Sequence, residues 1–190
     1  NIKTMPLEDQ TEEELVFHKF VANGLPKATS QLGLELMILE DILESTREGG
    51  MAKALRYDDF IARDFDIDLN QPNDGYFSIS FYASPDRGVD LEHLLQAFEE
   101  NLEEIATKGI PQETFDKLLK RAQDEFGASI KRSDAVYSDV PYYLSLEEEP
   151  QSYDEFLENL GKVTREQINT HLLKLVGDGH AEIRFVVPKS

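Results

Sequence analysis

The four histidines of this sequence bear on whether it could hold a catalytic metal ion. They are widely separated, at His18, His93, His171 and His180, and no two lie within one helical turn of each other. A zinc-binding helix needs two histidines at positions i and i+4, so that both imidazoles reach one ion. Ala97 stands four residues after His93, and the chain has no cysteine. The sequence therefore predicts no metal site and no catalytic residue in this chain.

The alternating acids Asp64, Asp66 and Asp68 are the second feature that could do chemistry, because an EF-hand calcium loop opens in this way. Such a loop requires glycine at its sixth position and glutamate at its twelfth, where this chain has Leu69 and Gly75. The spacing instead places the three carboxylates on one face of a strand. Two interpretations remain, a solvated strand surface or the wall of a cavity for basic ligands.

Net charge limits the classes of partner. Of 190 residues, 19 are Lys or Arg and 38 are Asp or Glu, which gives a formal net charge of −19. A surface this acidic repels phosphate backbones, so nucleic acid is not an expected partner. Hydrophobic residues make up 40% of the chain, which suffices for one packed core. The sequence contains no membrane span and no targeting segment that we recognise, so we expect a soluble protein and assign no compartment.

Apolar periodicity predicts the elements that must position these residues. Aromatic and β-branched residues favour four strands, at 15–22, 60–70, 76–83 and 181–187. Helical spacing, capping residues and glycine stops favour a helix that begins at Ser30 and ends before Gly49, and further helices at 51–56, 91–108, 111–126, 133–146, 153–160 and 164–176.

This order of elements predicts an α+β fold, with helices packed on one face of a mostly antiparallel sheet. We expect residues 1–14 to form a polar N-terminal extension and residues 15–190 to form a single domain. Along the strand at 60–70, alternation places Arg63 on the apolar face, opposite the acids. The predicted core includes Phe65, Ile67, Phe77, Ile79, Phe98, Phe115 and Leu119.

Several short segments follow one another in an order that runs through nearly the whole chain. They are Leu34 to Leu43 with Gly49-Gly50, Ala54-Leu55-Arg56, Gly75 to Ser80, Gly109 to Phe115, and Val163 to Ile168. In order and spacing they resemble the C-terminal domain of the insulinase and pitrilysin family of zinc metallopeptidases, which includes mitochondrial processing peptidase. The resemblance implies a processing-peptidase-like fold. It also implies that zinc is held by an H-x-x-E-H helix of a separate catalytic domain, with no cofactor in this chain.

The resemblance further implies where substrate binds. The family's C-terminal domain commonly supplies an arginine in a Leu-Arg motif and a tyrosine seven residues later, both directed toward the substrate. Arg56 matches the arginine, whereas Arg63 stands in place of the tyrosine. The candidate substrate-binding residues are therefore Arg56, Arg63, Asp64 and Asp66. For Arg56 the alternative is an exposed cation that stabilises a helix C-terminus.

These observations lead us to expect a substrate-binding, non-catalytic C-terminal domain of a zinc-dependent metalloendopeptidase, inactive by itself. The expected partners are a catalytic H-x-x-E-H domain or subunit and a peptide substrate, with basic peptides favoured by the negative charge. A homo-oligomer is compatible with the sequence. A degenerate scaffold or assembly subunit of the same fold is the first alternative, and an independent small enzyme is the second.

Overall fold

Five strands of the described residues form one mixed sheet in the spatial order β1, β5, β2, β4, β3. The structure is a computed structural model, and it describes residues 1–25, 27–72, 75–130, 146, 148–149, 151–177 and 179–189. The strands are β1 (Ile2–Leu7), β2 (Glu14–Ala22), β3 (Ala62–Asn70), β4 (Tyr76–Pro85) and β5 (His180–Pro188). Only β1 and β5 pair in parallel. The predicted α+β fold with a mostly antiparallel sheet is confirmed.

Strand β1 was missed by the sequence analysis, which predicted no structure for the polar extension. Every residue from Ile2 to Leu7 is exposed, so the segment lacks the buried alternation that marks a strand. It becomes a strand because the edge of β5 offers backbone groups to pair with, in a register that matches Ile2 with Ile183 and Leu7 with Pro188. The domain boundary at residues 14 and 15 stays a prediction.

The helices lie close to their predicted positions. They are α1 (Ser30–Glu44), a π-helical turn (Lys53–Asp58), α2 (Leu91–Lys108), α3 (Gln112–Ile130), α4 (Tyr153–Gly161) and α5 (Arg165–Val176). The helix predicted at 133–146 lies, except for its last residue, outside the described residues. Within the described part of the chain, no helix has both the length and the apolar character needed to cross a membrane.

Capping residues explain where two of these helices begin. Thr29, one residue before the predicted start of α1, accepts a hydrogen bond from the Leu32 amide through its side chain, at 3.1 Å. At the start of α5, Thr164 and Gln167 form a capping box, in which each side chain accepts from the other residue's amide.

The core lies between the helices and one face of the sheet. Phe98 of α2 stacks on Phe81 of β4 with ring centroids 3.9 Å apart, and it meets Phe17 of β2 edge to face at 5.0 Å. All seven predicted core residues belong to this cluster, Phe65 and Leu119 as partly buried members at its boundary. The prediction of a shared core is confirmed.

A β-bulge at the start of β3 overturns the predicted position of Arg63. Ala62 pairs with Pro85 and Asp64 pairs with Ser84, so Arg63 is an extra residue between them. A one-residue bulge interrupts the alternation of side chains. Ala62 is therefore buried and Arg63 is exposed, whereas the uninterrupted pattern placed Arg63 on the apolar face.

Candidate functional site

The four candidate substrate-binding residues lie along one edge of the sheet. Arg56 belongs to the π-helical turn just before β3, and Arg63, Asp64 and Asp66 belong to β3 itself. Strand β3 is the last strand of the sheet on this side. All four side chains are exposed, so a ligand at this edge could reach each of them.

Arg56 combines two features at the end of the turn. It lies in the last part of the π-helical turn, where a cation interacts favourably with the helix dipole. Its guanidinium carbon also lies 5.6 Å from the ring centroid of Tyr57, within the range of a cation–π contact. The guanidinium donors remain exposed, so this geometry is compatible with both the structural and the substrate-binding interpretation.

Arg63 is held by two carboxylates at the surface. Its Nη1 donates to Glu12 Oε1 at 2.9 Å and its Nε donates to Asp64 Oδ2 at 3.2 Å, while Nη2 donates to the second oxygen of Glu12. These charged hydrogen bonds lower the pKa of Glu12 below its ordinary value and raise that of Arg63. Arg63 therefore joins β3 to the segment before β2.

The acidic row of β3, formed by Asp64, Asp66 and Asp68, is exposed as the alternation predicted. The row lies opposite Ser84, Tyr82 and Ser80 of β4. Ile67 and Leu69, between and after the acids, are buried on the other face. The result is a line of negative charge on the exposed side of the edge strand, as far as the structure describes the chain.

Two glutamates of α1 close part of the outer edge of β3. Glu44 Oε1 accepts a hydrogen bond from the Ile67 amide at 3.0 Å, and Glu40 Oε2 accepts one from the Leu69 amide at 2.8 Å. In an antiparallel edge strand, every second residue directs its amide away from the neighbouring strand. The side chains of α1 therefore occupy positions at which another strand would otherwise pair.

The same two glutamates have perturbed ionisation. Burial raises the pKa of Glu40 to about 7, and the charges of Glu44, Asp68 and Asp41 add to the effect, against the opposing hydrogen bond from Leu69. Burial also raises the pKa of Glu44, helped by the nearby Asp66. Negative charges thus crowd the contact between α1 and β3.

Sequence reasoning missed this contact between α1 and β3. The sequence feature that points to this contact is the spacing of Glu40 and Glu44 by one helical turn, on a helix whose neighbouring positions are mostly apolar. That spacing puts both acids on one side of α1. It does not say which strand that side faces, because helix–sheet packing is not encoded in local periodicity.

A serine, a histidine and an acid also occupy paired positions on three neighbouring strands. His18 Nδ1 lies 2.6 Å from Ser80 Oγ, and Glu182 is the partner of His18 on β5. Ser80 is only 3% exposed, so a substrate could not reach its hydroxyl. The row is a cross-strand polar contact and not a nucleophilic triad.

The remaining histidines do not assemble a metal centre. His171 is buried and its Nε2 lies 3.7 Å from Glu35 Oε2, while His93 and His180 lie exposed on other elements. Across the described ranges, no group of three His, Asp or Glu side chains is placed to hold a metal ion.

Comparisons with known proteins identify the family and the fold of this chain. A family model described as the peptidase M16 inactive domain matches residues 12–122. The chain superposes on a protease from Helicobacter pylori with a TM-score of 0.79 and 16% identity, covering 98% of this chain and 44% of that one. No curated protein matches this sequence.

Two longer proteases share the fold. The periplasmic protease PqqL from Escherichia coli matches with a TM-score of 0.75 and 15% identity, over 100% of this chain and 21% of that one. A mutant of the ferredoxin protease FusC, in complex with Arabidopsis ferredoxin, matches with a TM-score of 0.77 and 13% identity, over 100% of this chain and 20% of that one. The chain thus spans less than half of the length of these structures.

Proposed function

Because the chain belongs to the peptidase M16 family, in its inactive-domain type, we propose that it is the substrate-binding, non-catalytic domain of a zinc-dependent metalloendopeptidase of the insulinase and pitrilysin type. One observation carries the proposal. Arg56, Arg63, Asp64 and Asp66 are all exposed along a single edge of the sheet. The catalytic zinc of such a protease is expected on the separate H-x-x-E-H domain.

The chemistry of this edge suits an extended peptide. Arginine donors can bind peptide carbonyl groups, the acidic row can bind basic side chains, and an edge strand can pair with a peptide backbone. Only part of β3 is available to pair with a peptide backbone, since the amides of Ile67 and Leu69 already donate hydrogen bonds to Glu44 and Glu40. The N-terminal half of β3, next to Arg56, is the part we assign to the peptide.

The fold's occurrence in FusC, a protease solved in complex with a protein, supports a role in contacting polypeptides. The hydrogen bonds that Ile67 and Leu69 on the edge of β3 already make to Glu44 and Glu40 support the alternative of a scaffold or assembly subunit. A domain that binds no peptide would gain from a protected edge, because an open edge invites aggregation.

Arg56→Ala in the complete protease, with its H-x-x-E-H partner present, tests the proposal. We expect kcat/KM for a peptide substrate to fall about 10- to 100-fold, as the loss of a charged donor to a substrate typically produces. Lys120→Ala, which removes an exposed cation on α3 that pairs with Asp124, is the matched control. An Arg56→Ala protease with full turnover would favour the scaffold.

A further inference from the structure

Phe60 adopts a backbone conformation that aromatic residues avoid. Its φ is +51°, and it is the one non-glycine residue with positive φ among those the structure describes. The left-handed region brings Cβ close to the following carbonyl oxygen, and glycine alone escapes this cost. Phe60 is nevertheless 62% exposed, so packing of its ring does not offset the strain.

Tyr57, three residues earlier at the end of the π-helical turn, is also exposed, at 55%. The backbone around the two rings is firmly held, because the Asp59 amide donates to the Ala54 carbonyl at 3.1 Å and the Ile61 amide donates to the Leu55 carbonyl at 2.8 Å. Leu55 and Ile61 are both buried. The fold thus anchors the ends of the turn in the core and leaves both aromatic rings in solvent.

We call Arg56, Tyr57 and Phe60 the aromatic turn. It lies just before β3, next to the end of that strand at which the glutamates of α1 do not bond the backbone. Alternation places the amide of Phe65 on this outer edge, as it does those of Ile67 and Leu69. Side chains on one face of an extended peptide recur about every 7 Å, so a peptide that pairs at Phe65 and continues along β3 past Ala62 presents side chains at the end of the strand that follows the turn.

We propose that Tyr57 and Phe60 form a subsite for one bulky apolar side chain of an extended peptide whose backbone pairs with the N-terminal half of β3. The inference rests on the peptide-binding function proposed above and adds a specificity to it. Two exposed rings offer apolar area and flat faces for stacking. The guanidinium of Arg56, beside Tyr57, is placed to donate to the peptide backbone.

The test measures direct binding by the 190-residue chain. The probes are three fluorescein-labelled decapeptides, each with two lysines, which differ only in one central residue, Phe, Leu or Ser. Fluorescence polarisation gives Kd for the parent, Phe60→Gly, Phe60→Ala and Tyr57→Ala. The control is Leu173→Ala, which removes an equally exposed apolar side chain, at 56% exposure, from α5.

We expect the parent to bind the Phe and Leu peptides at least 5-fold more tightly than the Ser peptide. Each of the three turn variants should lose this preference, and the control should keep it. Phe60→Gly should also unfold at a Tm no lower than the parent's, since glycine removes the strain while the ring contributes little packing. Lost preference without lost stability is the signature of a binding residue.

Three results would overturn the inference, and they do not all have the same meaning. If the parent binds all three peptides equally, or if Phe60→Gly keeps the preference, the subsite is absent while the peptide-binding function stands. If the parent binds none of the three peptides, the peptide-binding function fails together with the subsite.

Discussion

At the scale of single residues, Glu40 is an acid whose ionisation the fold opposes. Its folded pKa of about 7 lies above the ordinary value of 4.5, so its contribution to stability is complete below pH 4.5 and is lost as the pH rises through 7. Glu40→Gln keeps an acceptor for the Leu69 amide without the charge. We expect the variant to be more stable than the parent at pH 8 by about 1–2 kcal/mol, after discounting for solvent screening, and nearly equal at pH 5.

Urea unfolding at pH 5, 6.5 and 8 measures this difference. Glu103→Gln, at an exposed position of α2, changes the formal charge equally and should show no comparable pH dependence. A difference between Glu40→Gln and the parent that is the same at all three pH values would mean that Glu40 titrates normally in the folded protein.

Arg63 yields a second prediction at this scale. Since its partners Glu12 and Asp64 are exposed, losing these ion pairs should cost little. We expect Arg63→Tyr to leave Tm within about 2 °C of the parent, and to leave peptide cleavage by the complete protease unchanged or raised. Differential scanning calorimetry and steady-state kinetics measure the two quantities. A marked fall in Tm would place Arg63 in a structural role that its exposure does not indicate.

At the scale of elements, a buried lysine ties β2 to the end of α5. Lys19 Nζ donates to the carbonyls of Leu175 and Gly177, at 2.7 and 2.9 Å, which satisfies acceptors that a helix end leaves open. Lys19→Met keeps the apolar stem and removes the donors. We expect a loss of about 2–3 kcal/mol in the free energy of unfolding, measured by urea titration, whereas Lys120→Met on the exposed side of α3 should change little.

The elements also show what the sequence could predict. Helix α1 and the hairpin of β3 and β4 follow from local periodicity, because their buried faces repeat at 3.6 and 2 residues. Strand β1 could not be predicted, since its pairing with β5 joins residues far apart in the chain and buries no side chain of its own. The bulge at Arg63 depends on how β3 pairs with β4, and the contacts of β3 with Glu40 and Glu44 depend on how α1 packs. Local periodicity specifies neither. The sequence thus predicted the exposed face of the acidic row correctly and that of Arg63 incorrectly, while the substrate-binding role of these residues stays a prediction.

At the scale of the whole molecule, the net charge of −19 should govern how fast ligands arrive. We expect a lysine-rich peptide to associate at least 5-fold faster than its glutamate-rich counterpart at 20 mM NaCl, and the difference to shrink at 300 mM as screening shortens the range of the field. Stopped-flow fluorescence measures both rates, with a peptide of zero net charge as the control. Equal rates at both salt concentrations would limit the acids to a role in solubility.

The parallel pairing of β1 with β5 has a mechanical consequence. The two strands lie side by side and run in the same direction, with Ile2 opposite Ile183, Leu7 opposite Pro188, and the Lys189 amide donating to the Leu7 carbonyl at 3.1 Å. A force that pulls Asn1 and Lys189 apart therefore slides one strand along the other. It loads the hydrogen bonds between them together, in shear, and does not unzip them one at a time. The edge that looks least protected in solution is thus arranged to resist tension between its two strands.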